Sequence, residues 1–194
     1  MADDLGVEFD FLEQLLDTSK IDNFKIPVKV AADLRRYQQE GVNWMGFMLK
    51  YQLHGILCDD MGLGKTLQSI CIMASDHHNR RTQYAATPDP AVAPFPSLVV
   101  CPPTLVGHWA FEIEKFLPDK TLATVQFVGS PAERGAMQDR VTKGGDCVVI
   151  TSYDTLRNDI GWCGWFKDSL FVRMPPAVYW LFYGSGILPR NDSG

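Results

Sequence analysis

A chain of 194 residues, 46% hydrophobic and 21% charged, suits one soluble globular domain with a real core rather than a disordered or fibrous protein. Its net charge of −5 excludes a protein that grips nucleic acid by bulk electrostatics, because phosphate neutralisation needs clustered Lys and Arg. Five cysteines, an odd number with no C-x-x-C pair, argue against a disulfide framework or zinc site and for a reducing compartment, cytosol or nucleus.

Residues 1–30 form an acidic lead-in: in its first 17 residues Asp3, Asp4, Glu8, Asp10, Glu13 and Asp17 meet no basic residue, and that stretch repels a phosphate backbone. It lacks the basic and apolar regions of a signal peptide, and predicts only a short helix around Phe9 to Leu16, broken by Pro27. Leu34, Tyr37, Gly41, Trp44, Met45 and Met48 then recur at helical spacing, predicting a helix from Asp33, its N-cap, to Tyr51. Short apolar runs alternate with helical patterns from there. Strands are predicted at His54 to Cys58, Ser97 to Cys101, Ala123 to Val128 and Cys147 to Ile150, with helices at Thr66 to Asp76, Leu105 to Leu117 and Ala132 to Val141. Such βαβ alternation means a parallel sheet, and the unbroken Leu98-Val99-Val100 and Val148-Val149-Ile150 mean strands covered on both faces. Residues 31–160 are therefore expected to form a three-layer α/β lobe. Cys58, Cys101 and Cys147 fall in its apolar runs as small buried hydrophobes.

Tyr84 to Pro96, with four prolines, reads as a mobile surface loop. His77-His78 has no further ligand at metal spacing and reads as a polar helix end. Ser, His and Asp are available for a hydrolytic triad, but no G-x-S-x-G elbow supports one. From 161 to 194 the pattern fails, and an irregular or disordered tail is expected. Its most apolar stretch, Ala177 to Leu188, is shorter than the about 20 residues of a membrane helix, so no membrane association is expected.

The chemistry concentrates at His54-Gly-Ile-Leu-Cys-Asp-Asp-Met-Gly-Leu-Gly-Lys-Thr66, a strand, a glycine-bearing turn and a helix start. Backbone N–H groups of such a turn converge on phosphate oxygens, and the helix dipole adds attraction. Asp60, Met61, Gly62, Leu63, Gly64, Lys65 and Thr66 are the candidate nucleotide-binding residues. Lys65 reaches the β and γ phosphates, and the Thr66 hydroxyl holds the magnesium ion; these two are also the candidate catalytic residues. One departure stands out, since Asp59 occupies the position that usually carries the first glycine.

Asp59-Asp-Met-Gly-Leu-Gly-Lys-Thr66 resembles the first helicase motif of Swi/Snf-type ATPases, which tolerates an acid at that position. Leu34-Arg-Arg-Tyr-Gln-Gln-Glu-Gly-Val-Asn-Trp44 resembles the family's adenine-reading motif, its glutamine falling on Gln38; the alternative is a solvated helix residue. Ser97 to Phe116 and Val149-Ile-Thr-Ser-Tyr-Asp154 resemble two further motifs that touch the DNA backbone. By that match Thr104, Thr151 and Ser152 are candidate DNA-phosphate contacts, while helix capping is equally open for the two threonines. Within the family the lead-in around Gln14 to Pro27 and Cys58 resemble the members that remove TATA-binding protein from promoter DNA. The resemblance implies a RecA-like first lobe, ATP and Mg2+ as ligands, double-stranded DNA and TATA-binding protein as partners, and a nuclear site of action in chromatin remodelling and transcription.

The family hydrolyses ATP with an Asp-Glu pair closing a later strand, and with an arginine finger from a second lobe. No Asp-Glu dipeptide occurs in this chain. The lobe is thus expected to be truncated and incomplete, leaving two readings open: a translocase lobe active only in a longer protein, or a catalytically inactive nucleotide-binding or interaction module.

Overall fold

The computed structural model describes residues 2–89, 93–119, 121–163, 166, 170–173 and 179–183. Seven helices and six strands are described there. They are α1 (Ala2–Leu16), α2 (Arg36–Lys50), β1 (Gly55–Leu57), α3 (Lys65–Ala86), β2 (Ser97–Val100), α4 (Val106–Phe116), β3 (Ala123–Phe127), α5 (Pro131–Gly144), β4 (Cys147–Thr151), α6 (Tyr153–Asn158), α7 (Ile160–Cys163), β5 (Leu170–Arg173) and β6 (Tyr179–Tyr183).

The six strands form one sheet in the order β1-β6-β5-β2-β4-β3. β3, β4, β2 and β5 run parallel to one another. β6 lies antiparallel between β5 and β1. The sheet is therefore mixed rather than wholly parallel, and the irregular tail expected after residue 160 is corrected: 170–173 and 179–183 are strands. Leu-Phe-Val and Tyr-Trp-Leu-Phe-Tyr have the β-branched and aromatic composition of strands. Neither run alternates, which is why periodicity passes over them. The rest of the expected tail, including 184–194, lies outside the described residues.

Alternate residues of the covered strands point to opposite faces. Val99, Cys101, Val148 and Ile150 join α2, α3 and α4 in one core, whereas Leu98, Val100, Cys147 and Val149 join Val125, Phe127, Val141 and Phe166 in another. Two cores on one sheet make the three layers that the continuous apolar runs predicted. Burial pushes the thiols of Cys71 and Cys101 up to about 12, so both sit as inert hydrophobes. Cys58 is exposed instead, because β1 ends at Leu57 and the chain has already left the sheet.

Asp33 is not the cap of α2. Gln38, three residues into the first turn, returns its Oε1 to accept from the Arg35 N–H at 3.0 Å, and the helix starts at Arg36. Helix α3 runs ten residues beyond the expected Asp76, so Tyr84 to Ala86 are helical and only the remainder of that segment is loop, with 90–92 outside the described residues.

That longer helix overturns the reading of His77 as a helix end. His77 is fully buried; its Nδ1 lies 2.6 Å from Asp146 Oδ1, and its Nε2 lies 2.9 Å from Ser97 Oγ. Arg81 joins Asp146 on its other oxygen at 2.8 Å. The order Ser–His–Asp is that of a hydrolytic triad, but both Ser97 and His77 are sealed from any substrate. The group acts as a tie, pinning the middle of α3 to the first residue of β2 and the residue before β4. Removing the imidazole strands the buried Ser97 hydroxyl and half of the Asp146 carboxylate, and an unsatisfied buried polar group costs about 1–3 kcal/mol. His77→Ala is expected to lower unfolding free energy by about 2–3 kcal/mol. Urea unfolding checks this, and a midpoint equal to the parent's would refute the tie.

Candidate nucleotide-binding site

Between β1 and α3 the chain makes a turn that only two glycines permit. Gly62 (φ 86) and Gly64 (φ 79) occupy the left-handed region, which costs L-residues roughly 1–2 kcal/mol each. A Cβ on Gly62 would meet nothing within 4 Å, so the turn borders open space. Gly64 is the N-cap of the 22-residue α3, and no side chain caps that end. The turn leads directly into the N-terminus of a long helix, whose dipole favours an anion.

Lys65 opens the helix and is only 7% exposed. Its Nζ bends back over the turn and donates to the carbonyls of Asp59 at 2.7 Å and Asp60 at 2.8 Å. Thr66 follows, half-buried beside it. Met61 and Asp60 are exposed at the lip, and Leu63 and Gly64 are half-buried at the base.

Gln38 reaches the same turn from α2. Its Nε2 donates to the Leu63 carbonyl at 3.1 Å while its Oε1 holds the Arg35 amide. Gln38 is buried, so the alternative of a solvated helix residue is set aside. Asp59 Oδ2 accepts from Gln68 Nε2 at 3.3 Å. The acid in the place of a glycine thereby anchors the start of the turn to the second turn of α3. Gln68 was not among the expected site residues, although a glutamine inside the apolar run Leu67 to Met73 signals a buried polar partner.

β1, β5, β2 and β4 share one direction, so the segments after β1, β2 and β4 leave the same edge of the sheet. Ligands of open α/β sheets bind outside the carboxyl ends of strands. Thr104 stands there, exposed in the 3-10 turn Pro103–Leu105 that follows β2. Thr151 and Ser152 do not offer their hydroxyls to solvent. Thr151 is 1% exposed and donates to the Phe127 carbonyl at 2.8 Å, while Ser152, 5% exposed, caps α6 by accepting from the Thr155 amide. These two therefore hold the sheet edge and the helix start, and Thr104 alone of the three presents a hydroxyl outward.

No described strand ends in an acidic pair; β5, parallel to and beside β2, reads Leu-Phe-Val-Arg. Among the described residues no cluster of three or more His, Cys, Asp or Glu could hold a metal ion. No helix among them is long and apolar enough to cross a membrane.

The family model for the SNF2-related domain matches residues 37–168. TATA-binding protein-associated factor 172 of Homo sapiens is 55% identical over 150 residues, which is 77% of this chain and 8% of that protein. TATA-binding protein-associated factor MOT1 of Saccharomyces cerevisiae is 47% identical over 153 residues, 79% of this chain and again 8% of the relative. The chain thus spans about 8% of the length of these curated relatives. Among solved structures, the Sulfolobus solfataricus SWI2/SNF2 ATPase core in complex with dsDNA superposes with a TM-score of 0.52 at 32% identity, covering 71% of this chain and 25% of that one.

Proposed function

Because the chain belongs to the SNF2-related domain family, we propose that it is the ATP-binding lobe of a DNA-translocating ATPase acting in the nucleus on transcription, by removal of TATA-binding protein from DNA. The observation that carries the nucleotide assignment is the turn from Gly62 to Lys65: two left-handed glycines, one bordering open space, at the N-terminus of a 22-residue helix. Support for the biological setting comes from relatives named for association with TATA-binding protein, and from a structural neighbour bound to double-stranded DNA.

The residues fit a triphosphate. Amides from Gly62 to Thr66 hold the phosphate oxygens, and Lys65 exchanges the carbonyls of Asp59 and Asp60 for the β and γ phosphates. When bound, Mg2+ neutralises phosphate charge, and Thr66 is the side chain to hold it. Gln38 carries a donor and an acceptor on one amide, the pair an adenine edge requires. To read the base it must give up the Leu63 carbonyl or the Arg35 amide, so adenine recognition and bracing of the loop compete for one side chain.

A second reading has its own observation. The chain contains no Asp-Glu dipeptide to hold magnesium and activate water, which favours a module that binds nucleotide without turning it over.

Calorimetric titration with Mg-ATP tests the site. We expect one-to-one association, weakened about tenfold to a hundredfold by Lys65→Ala, the worth of a charge-assisted hydrogen bond of about 1.5–3 kcal/mol. No association by folded protein would remove the proposal. Hydrolysis measured on the same sample, with and without double-stranded DNA, is expected to stay at background. DNA-stimulated turnover that disappears in Lys65→Ala would exclude the non-catalytic reading.

A further inference from the structure

Lys65, Gln38 and Gln68 each hold the turn between β1 and α3. Lys65 grips the carbonyls of Asp59 and Asp60, Gln38 grips the carbonyl of Leu63, and Gln68 grips the Asp59 carboxylate, its Nε2 lying 3.3 Å from Oδ2. On the nucleotide reading above, phosphates draw Lys65 away and adenine draws Gln38. Both grips on the backbone therefore loosen as the ligand arrives. The bond from Gln68 to Asp59 lies outside that exchange and stays in place.

The seat of Gln68 shows what the fold gives up for this bond. Gln68 is fully buried in the first turns of α3. Its Oε1 has no hydrogen-bond partner among the described residues, and a buried acceptor left unpaired costs stability. That oxygen faces the bare Cα of Gly41 on α2, where a Cβ would fall well inside contact distance of it. A methionine of similar shape would fill the seat with no unpaired oxygen. An amide seated there at a cost to stability is accounted for by its other end, the nitrogen on Asp59. Gly41 also lies one turn from Gln38 along α2. One face of α2 thus meets both ends of the turn, Gln38 at Leu63 and Gly41 through Gln68 at Asp59.

We propose that Gln68 is a positioning residue for nucleotide binding, and that Gly41 is the notch in α2 that admits it. The Gln68–Asp59 bond keeps the β1 end of the turn fixed on α3 while Lys65 changes partners. It also gives the acid at 59, where phosphate loops usually carry glycine, a dedicated donor. The proposal rests on the nucleotide assignment above.

The test is calorimetric titration of the full chain with Mg-ATP, paired with urea unfolding in the absence of nucleotide. Gln68→Met removes the Asp59 bond and the unpaired oxygen together. Affinity is expected to fall about tenfold, the worth of a hydrogen bond to a charged group, while unfolding free energy stays at or above the parent's. A residue that only held the core would lose stability along with affinity. Gly41→Ala, a change that favours a helix, is expected to weaken binding severalfold by displacing Gln68. Added to Gln68→Ala it should cost no further affinity, because the side chain it meets is gone. Asp59→Asn keeps an oxygen for Gln68 Nε2 and should retain most of the affinity that Asp59→Ala loses. Parent-like affinity in Gln68→Met would overturn the proposal. So would a loss of affinity matched by an equal loss of unfolding free energy, or a Gly41→Ala effect that persists in Gln68→Ala. No association of Mg-ATP with the folded parent would instead remove the nucleotide assignment and this proposal with it, whereas the variant results remove the proposal alone.

Discussion

Gly64→Ala is expected to take Mg-ATP affinity below measurement while the chain stays folded. Two costs fall on one methyl group. The backbone sits at φ 79, where an L-residue is disfavoured by roughly 1–2 kcal/mol. The new Cβ also falls well inside contact distance of Gln38 Nε2, the atom that donates to Leu63. Relief requires the turn to leave the left-handed region or Gln38 to withdraw, and either movement displaces the amides at the start of α3. Gly62→Ala separates the two costs. It carries the same kind of backbone strain at φ 86, but its Cβ meets nothing within 4 Å. It should therefore retain weakened, measurable binding. Adding Gln38→Ala to Gly64→Ala removes the clash and leaves the strain, so the double-mutant cycle should show positive coupling. Calorimetry on the four proteins, with thermal melts to confirm folding, reads this out. Parent-like affinity in Gly64→Ala would mean that the turn does not bind phosphate in the conformation described.

The parts of the fold that local pattern encodes were legible. β2 and β4 announced themselves as unbroken apolar runs because both faces are covered, and the glycines at 62 and 64 marked the turn between β1 and α3, where both take left-handed backbone. Ser130, whose amide donates to the Glu133 carboxylate while its hydroxyl oxygen accepts from the Glu133 amide to start α5, is a local signal that the expected start at Ala132 did not use. The misreadings have a common cause in long-range pairing. His77 meets Asp146 across 69 positions, and nothing near His77 in sequence reports a partner there. Thr151 looked like a cap or a phosphate contact until β3 supplied the Phe127 carbonyl for its hydroxyl. β5 and β6 are ordered into the sheet by neighbours rather than by any alternation of their own. Gln38 shows the middle case: its motif pointed to the nucleotide, while only the packing of α2 against the turn revealed that its amide already braces the loop.

Trp109→Ala is expected to be the most destabilising of the substitutions considered. Trp109 is almost wholly buried on α4, in the core that also contains Ile70, Met73 and Ile113. Truncating a buried aromatic to alanine typically costs about 3–5 kcal/mol, transfer and cavity terms together, because the surroundings collapse only in part. Against a total stability of about 5–15 kcal/mol for a domain, that loss removes a large share of the margin. At roughly 2–4 °C per kcal/mol for a chain of this size, the melting temperature should fall by roughly 6–20 °C. Phe111, two residues on and 60% exposed on the same helix, provides the internal control, and Phe111→Ala should stay within about 0.5 kcal/mol of the parent. The functional consequence follows from where α4 sits: it continues from the turn that presents Thr104 and packs on α3, the helix whose first residues belong to the proposed nucleotide site. A cavity at Trp109 should therefore weaken Mg-ATP association as well as stability, whereas His77→Ala, which loosens α3 beyond its midpoint, should cost stability with a smaller effect on affinity. Chemical denaturation paired with calorimetry distinguishes the two variants. Equal losses of affinity in both would show that α3 moves as one rigid rod rather than yielding locally at each contact.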